Sequence, residues 1–278
     1  METERSRHPD PRPGGRFSPV PVGAAELRAR FAAVAGALSR PRAEPGALVT
    51  APLAAFALGA LLLSAASFLS GFDAWVAQAM RDEPEGVRAF LRILTDVGLI
   101  AWYFYPALLL TLVLLLTGST WRHRAVSPPP LFVMSAWFAA SLGTASAITH
   151  AIKYALGRAR PELLDSHGIA SFDFLRLGSA YESFPSGHST NMGVVAVALA
   201  IWFPGMRWPI LLLGACLAMT RIVVERHYLS DVFAGFAIGV TTALVLARFL
   251  ALRAVAYRVD AGGRGWTGLL PRRRTTPA

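Results

Sequence analysis

The stretch that decides the fold is residues 221–231, RIVVERHYLSD, which joins two long apolar runs in the C-terminal part of the chain. Within it, His227 and Asp231 are four residues apart, so on a helix the carboxylate can stand on the same face as the imidazole. A carboxylate that accepts a hydrogen bond from one ring nitrogen fixes the tautomer and leaves the other nitrogen free to attack. A helix cap or a buried ion pair is the alternative. Ionisable residues beside apolar spans are functional candidates, and Arg221 adds a cation to them.

A second polar stretch, SFPSGHST at residues 183–190, precedes another apolar run. Its Pro, Ser and Gly predict the start of a helix, where unpaired backbone N–H groups and the positive end of the helix dipole suit a phosphate group. Ser186 and Gly187 can donate hydrogen bonds to such an anion, and His188 can supply a proton. A plain N-cap with a solvent-facing histidine is the alternative interpretation.

A third polar stretch is KYALGRARP, at residues 153–161. Lys153 is the only lysine among the 27 basic residues of the chain. A chain that uses arginine everywhere else and lysine here indicates a site that needs the point charge of an ammonium group. The alternative is that Lys153 only extends to the membrane surface from the end of a span. Arg158 and Arg160 follow it in the same stretch.

The composition predicts a membrane protein, because 54% of the 278 residues are hydrophobic and only 16% are charged, which is too apolar for an ordinary soluble domain. Apolar runs close to the roughly 20 residues that cross a bilayer predict six spans. They lie at residues 49–70, 97–117, 131–152, 189–203, 208–224 and 229–250. The predicted fold class is therefore an all-α polytopic membrane protein with six transmembrane helices. In this topology an even number of spans separates the three polar stretches, so all three lie on one side.

The net charge of +10 is dispersed over both termini and the loops, which argues against a nucleic-acid-binding face. Most basic residues fall in segments that are cytoplasmic if both termini are inside, so the positive-inside rule predicts that topology. The three polar stretches then face the outer side of what we expect to be a bacterial inner membrane. The single cysteine, Cys216, provides no intrachain disulfide and no thiolate metal cluster.

The remaining segments have predictions of their own. Residues 1–22 are predicted to be a disordered basic N-terminus, and residues 23–47 an amphipathic helix on the inner leaflet. Residues 48–252 form the predicted six-helix domain, followed by a basic cytoplasmic tail at residues 253–278. Residues 73–96, which a proline interrupts, predict a pair of helices at the outer membrane surface.

The three polar stretches, in this order and with these internal spacings, resemble the three signature motifs of the type 2 phosphatidic acid phosphatase (PAP2) superfamily. The motifs lie at residues 153–161, 185–188 and 221–231. With the layout of spans, the resemblance extends over about residues 50 to 250. It implies the helical core that the membrane lipid phosphatases of this family share with vanadium haloperoxidases. Thr220 stands where the family frequently has serine, a change of little chemical consequence.

The resemblance also implies a role for each motif residue. His227 attacks phosphorus and becomes a phosphohistidine, Asp231 orients it, and His188 protonates the departing oxygen and later helps to activate water. Arg158 is implied either to contact a lipid headgroup or second phosphate, or to be a cation at the rim. No metal ion or other cofactor is implied. The residues implied to bind the phosphate are Lys153, Arg160, Ser186, Gly187 and Arg221.

The implied function is the hydrolysis of a lipid phosphate at the outer membrane face. Undecaprenyl pyrophosphate, phosphatidic acid, phosphatidylglycerophosphate and a lipid A phosphate all suit such a site, and the sequence specifies neither one of them nor an oligomeric state. A lipid-to-lipid phosphotransferase is the main alternative, because a phosphohistidine can pass its group to another lipid. The apolar spans argue against a soluble vanadium haloperoxidase, which has the same motifs. A transporter would carry its charges at mid-bilayer in broken helices, and a non-catalytic membrane protein would not need both histidines and Asp231.

Overall fold

The computed structural model describes residues 23–42, 48–117, 128–176, 178–259 and 267–269. Its α-helices are α1 (Ala24–Leu38), α2 (Ala51–Leu69), α3 (Phe72–Ala79), α4 (Glu85–Thr95), α5 (Ala101–Leu116), α6 (Pro130–Leu156), α7 (Leu164–His167), α8 (Gly187–Trp202), α9 (Arg207–Val223) and α10 (Leu229–Ala251). Short 3₁₀ turns lie at Met80–Asp82, Asp96–Gly98, Pro161–Leu163, Ser179–Tyr181 and Pro204–Met206. Two short strands, β1 (Tyr257–Val259) and β2 (Thr267–Leu269), form an antiparallel ribbon. The predicted fold class, a helical membrane protein, is confirmed.

Five helical segments of the described chain are long and apolar enough to cross a membrane. They are Ala51–Leu69, Glu85–Leu116, Pro130–Leu156, Pro204–Val223 and Leu229–Ala251. The remaining predicted span, residues 189–203, corresponds to α8, which has 16 residues. A helix of that length rises about 24 Å, less than the roughly 30 Å of the hydrocarbon core. The count of six crossings therefore stays a prediction.

Helix α8 occupies the centre of the bundle, where it packs against α6, α9 and α10 and is buried along most of its length. The crossing with α10 requires glycine, because a Cβ at Gly239 would lie 2.0 Å from the carbonyl oxygen of Thr190. A Cβ at Gly235 would lie 2.3 Å from the carbonyl oxygen of Ser186. Such close approach is typical of helix packing in membranes. It fixes the N-terminal end of α8 beside the first turns of α10.

The outer surface of the bundle is apolar, as a lipid-facing surface must be. On α2, the consecutive side chains Leu61, Leu62 and Leu63 are 56%, 60% and 57% exposed. Buried positions of α8 and α10, by contrast, include many small residues, such as Ala198 and Ala243. A water-soluble protein rarely exposes a contiguous apolar surface of this extent. The distribution of side chains therefore agrees with a bundle that is solvated by lipid.

The segments that precede and interrupt the bundle are helical where helices were predicted. Helix α1 lies within predicted residues 23–47, and its buried Arg30 donates hydrogen bonds to the carbonyl oxygens of Leu115 and Thr117 at the end of α5. Helices α3 and α4 correspond to predicted residues 73–96, although α3 begins one residue earlier, and Pro84 is the N-cap of α4. The location of both segments at membrane surfaces stays a prediction. Residues 1–22 lie outside the described residues.

The predicted tail begins with residues that pack against the bundle. Tyr257 of β1 is fully buried, and its ring centroid lies 5.3 Å from that of Trp137 on α6. Trp137 also contacts Trp202 at the C-terminal end of α8, with 6.3 Å between ring centroids. This aromatic cluster marks the end of the bundle opposite to the N-terminus of α8. The three consecutive arginines of the tail lie outside the described residues.

Candidate active site

Four helix ends meet at the other end of the bundle: the C-terminal ends of α6 and α9, and the N-terminal ends of α8 and α10. They carry the three polar stretches found in the sequence. Lys153 from α6 and Arg221 from α9 act electrostatically on both His188 and His227. The backbone N–H of Ser186 donates to the carbonyl oxygen of Asp231 at 3.0 Å. The structure thus brings the three stretches into one site.

His227 lies just before the N-cap of α10 and is 3% exposed. Its Nδ1 lies 2.7 Å from the carbonyl oxygen of Ser183. Because a carbonyl oxygen only accepts, Nδ1 must carry the proton, and Nε2 is then the nitrogen with a lone pair. Burial lowers the pKa of His227 to about 3, so the ring is neutral near pH 7. A neutral imidazole with a defined tautomer is what a nitrogen nucleophile requires.

Asp231 lies beside His227 but does not accept the direct hydrogen bond that the sequence predicted. Its Oδ2 lies 3.8 Å from His227 Nδ1, which is too far for a hydrogen bond. Instead Oδ2 accepts the Tyr228 N–H at 2.8 Å, as part of the cap of α10, and the Ser183 hydroxyl at 2.6 Å. Since the Ser183 carbonyl in turn accepts the proton of His227, the carboxylate orients the ring through Ser183. The expected direct hydrogen bond is replaced because Asp231 caps its own helix.

The headgroup contact considered for Arg158 does not agree with the structure. Arg158 is 1% exposed, and its guanidinium lies between two buried carboxylates. It donates to Asp231 at 2.5 Å and to Asp73 at 2.9 Å, and it packs over the ring of Tyr228. A rim cation would be exposed, so that alternative also fails. Arg158 is a structural cation beneath the site.

The N-terminal end of α8 has the form of a phosphate seat. Ser186 is the N-cap, and its side-chain oxygen accepts from the Ser189 N–H at 3.4 Å and from the Ser189 hydroxyl at 2.9 Å. Gly187 and His188 follow in the first turn and are half-buried, whereas Ser186 is fully buried. The first backbone N–H groups of a helix have no partner within it and attract anions. Gly187 and His188 therefore present polar groups at the opening of the site.

Three cations face this helix end without a carboxylate partner. Within the described ranges, neither Lys153, Arg160 nor Arg221 forms an ion pair. Lys153 is 5% exposed and donates to the carbonyl oxygens of Glu182 and Pro185, at 2.5 and 3.0 Å. The Nε atoms of Arg160 and Arg221 are buried and have no hydrogen-bond partner in the described part of the chain. Buried cations need a counter-charge, so this arrangement fits an anion.

A segment that sequence reasoning missed covers this site from the side. Thr95, at the end of α4, accepts hydrogen bonds from Thr220 at 3.0 Å and from Arg221 at 3.4 Å. Gly98 lies against the ring of His188, and its carbonyl oxygen accepts from the Asn191 side chain at 2.9 Å. Thr95 and Gly98 belong to none of the three polar stretches. Thr95 ends the predicted outer-surface segment 73–96 and Gly98 lies at the start of the next predicted span, and neither position carries a sequence signal that points to the site.

A metal site was not predicted. Over the residues that the structure describes, no group of three or more His, Cys, Asp or Glu side chains is placed to hold a metal ion. The candidate site contains two histidines and one carboxylate, and Asp231 is already bound by Arg158, Ser183 and Tyr228. The charge of a bound anion would be met by Lys153 and the two arginines.

Comparison with known proteins agrees with this site. The PAP2 superfamily model matches residues 135–254, which include every site residue predicted from the sequence. A lipid A 1-phosphatase of Rhizobium johnstonii is 34% identical over 183 residues, covering 64% of this chain and 74% of that protein. A lipid A 1-phosphatase of Rhizobium etli is 35% identical over 185 residues, covering 64% and 78%.

Among solved structures, the crystal structure of a transmembrane PAP2 type phosphatidylglycerolphosphate phosphatase from Bacillus subtilis has a TM-score of 0.48. The two proteins are 19% identical in sequence, and the match covers 70% of this chain and 93% of the Bacillus subtilis chain. The apolar bundle and the family match together define a membrane lipid phosphatase. The chain belongs to the PAP2 superfamily.

Proposed function

We propose that the chain removes a phosphate group from a phosphorylated lipid through a phosphohistidine at His227, without a metal ion, at the outer face of the membrane. The observation that supports this most is a group of three cations, Lys153, Arg160 and Arg221, which form no ion pair with any described residue and lie beside a neutral imidazole and a helix N-terminus. Cations and backbone N–H groups placed in advance can stabilise the charge that builds on the equatorial oxygens in the transition state.

In the first step of this mechanism, the lone pair of His227 Nε2 attacks phosphorus and a P–N bond forms as the P–O bond to the lipid breaks. Burial and the nearby cations lower the pKa of His188 to about 3 in the free site. A bound phosphate offsets those cations, so His188 takes up a proton with the substrate and gives it to the departing lipid oxygen. In the second step, His188 takes a proton from water, and the resulting hydroxide attacks phosphorus on the side opposite to His227. The P–N bond then breaks, inorganic phosphate leaves, and both imidazoles return to their starting protonation states.

Among the lipids considered, we propose a lipid A phosphate as the substrate. The two relatives described above are both lipid A 1-phosphatases, and each aligns with about two thirds of this chain. A lipid A phosphate is a phosphate on a sugar with several acyl chains. Such a substrate would place its phosphate among the cations while its chains stay in the outer leaflet. Phosphatidic acid, phosphatidylglycerophosphate and undecaprenyl pyrophosphate become the comparison substrates.

The test is phosphate release by the full chain, purified in detergent with EDTA present. The panel includes the three comparison lipids, lipid A with both phosphates, and lipid A that lacks the 1-phosphate. We expect release from lipid A with both phosphates and none from the form without the 1-phosphate. His227→Ala should lower this rate by roughly a thousandfold or more, as removal of a nucleophile does. The matched control is His150→Ala: His150 is exposed on α6 and its ring stacks on the exposed ring of Tyr154, so this change should leave the rate unchanged.

Each result decides a part of the proposal. Activity that EDTA abolishes would contradict the metal-free mechanism. Full activity in His227→Ala would contradict the proposed phosphohistidine intermediate at His227. Release from every lipid at similar rates would overturn the choice of lipid A, and phosphate that appears on a second lipid instead of in solution would show a phosphotransferase.

A further inference from the structure

A buried carboxylate that lies outside the three polar stretches is linked to the candidate nucleophile. Asp73 is fully buried in the first turn of α3. It precedes residues 135–254, the region matched by the family model. A buried carboxylate is costly unless charges and hydrogen bonds satisfy it. The contacts of Asp73 therefore indicate what it does.

Asp73 joins α3 to the first turn of α10. Its Oδ1 accepts from the Ser67 hydroxyl at 2.7 Å and from the Ser230 N–H at 2.9 Å. Its Oδ2 accepts from Arg158 Nη2 at 2.9 Å and from the Ser230 hydroxyl. Ser230 is the residue that precedes Asp231, so Asp73 holds the backbone from which Asp231 projects.

Arg158 carries this link to Asp231. Its Nη1 donates to Asp231 Oδ1 at 2.5 Å and to the Ser230 hydroxyl at 2.7 Å, while its Nη2 donates to Asp73. The guanidinium is held in place by the rings of Phe68 and Tyr228, at 5.0 and 4.3 Å from their centroids. One cation thus bridges two carboxylates in the interior of the protein.

The charges of this cluster bear on the chemistry at His227. Arg158 contributes one positive charge, and the two carboxylates contribute two negative charges. The buried cluster therefore carries a net negative charge beside the imidazole, with Asp231 Oδ2 at 3.8 Å from Nδ1. When Nε2 attacks phosphorus, the ring becomes cationic, and a negative charge at that distance in a buried site stabilises it. Without Asp73, the charge of Arg158 would cancel that of Asp231.

We propose that Asp73 is a positioning residue for the reaction. It balances the charge of Arg158 and fixes its place, so that Asp231 keeps its negative charge for His227. Asp73 touches neither the substrate nor the reacting atoms. This inference rests on the proposed function, since it concerns the step in which His227 attacks.

The test is steady-state kinetics of Asp73→Asn, which keeps the shape of the side chain and removes its charge. We expect kcat to fall roughly tenfold, a typical coupling within one ion-pair network. KM should stay within about twofold, because uniform binding by Lys153, Arg160 and Arg221 is untouched. Ser67→Ala is the matched control: it removes a hydrogen bond to the same carboxylate without changing its charge, and kcat should hold. Asp82→Asn is a second control, because it removes one negative charge from an exposed residue outside the buried cluster, and kcat should be unchanged.

A second variant decides the case in which Asp73→Asn fails to fold. The double variant Asp73→Asn, Arg158→Gln removes both charges of the pair, which avoids an uncompensated buried cation. Because Asp231 then keeps its negative charge, kcat of the double variant should lie above that of Asp73→Asn. If Asp73→Asn does not fold, kcat of the double variant should lie within about tenfold of the wild-type value.

Several results would overturn the inference. For Asp73→Asn, these results are an unchanged kcat or an effect on KM alone. An equal loss of kcat in Ser67→Ala would also overturn it. So would a double variant that is as slow as Asp73→Asn, or whose kcat is more than about a hundredfold below that of the wild type. A wild-type protein that releases no phosphate from any lipid would instead contradict the proposed function. The two failures are therefore distinguishable in one set of assays.

Discussion

The reactivity expected of His227 follows from burial and one donated hydrogen bond. The Ser183 carbonyl places the proton on Nδ1, and the surroundings leave the ring 3% exposed. Loss of hydration disfavours the cationic form of the ring. The same burial that prepares the nucleophile must therefore cost stability in acid, because an unfolded histidine is readily protonated.

We predict a pH dependence of stability that belongs to His227. Its pKa is about 3 in the folded protein, compared with about 6.5 in an unfolded chain. As the pH falls from about 6.5 towards 3, the unfolded state takes up a proton that the folded state does not, so stability falls by at most about 1.4 kcal/mol per pH unit. Thermal unfolding in detergent at pH 7.5 and pH 5 should therefore show a larger decrease for the wild type than for His227→Asn. An equal decrease in both proteins would show that His227 is not kept neutral by burial.

At the scale of elements, the 3₁₀ turn Asp96–Gly98 fixes the first turn of α8. The Asn191 side chain of α8 binds the carbonyl oxygen of Gly98, and the ring of His188 lies against its α-carbon. A Cβ at Gly98 would lie 3.0 Å from both Cβ and Cδ2 of His188. The position of His188, the proposed general acid, therefore depends on the turn between α4 and α5, which lies outside the region matched by the family model.

We predict that Gly98→Ala lowers kcat/KM by roughly ten- to a hundredfold, because a displaced catalytic group loses its alignment. The added methyl group must displace either His188 or a turn that Asn191 anchors. The measurement is lipid phosphate release, with the detergent-solubilised fold checked by size-exclusion chromatography. Gly86→Ala is the matched control, since a Cβ at Gly86 meets nothing within 4 Å. Wild-type activity in Gly98→Ala would show that His188 does not need its present position.

At the scale of the whole molecule, the site lies at one end of a lipid-facing bundle and the aromatic cluster of Trp137, Trp202 and Tyr257 lies at the other. Which end faces outward is predicted from the distribution of basic residues in the sequence. The arginines at the cytoplasmic end would meet anionic headgroups, whereas the cations of the site would meet a substrate.

We predict that the site end is external, and cysteine labelling in spheroplasts can test this. Cys216 is first replaced by alanine, and a single cysteine is then introduced as Ser166→Cys in α7 or as Gly205→Cys between α8 and α9. Both positions are exposed and lie at opposite ends of the bundle. A membrane-impermeant maleimide should label Ser166→Cys in intact spheroplasts, and Gly205→Cys only after permeabilisation. The reverse pattern would place the site in the cytoplasm.

The sequence by itself determined the helical membrane fold and the set of motif residues. Long apolar runs can satisfy their backbone in lipid only as helices or closed barrels, so their positions predicted most of the spans. Motif order predicted that Lys153, His188 and His227 belong to one site. Both depend on local patterns, which a sequence displays directly.

Only the tertiary structure decided which partner each charge takes. Arg158 and Arg160 are two residues apart, yet Arg158 lies between Asp73 and Asp231, whereas the buried Nε of Arg160 has no hydrogen-bond partner among the described residues. Asp231 caps its own helix and reaches His227 through Ser183, which its spacing from His227 did not reveal. Such partners come from helices far apart in the chain, and their choice depends on which groups become buried together. Burial is a property of the packed bundle, so no local pattern could specify it.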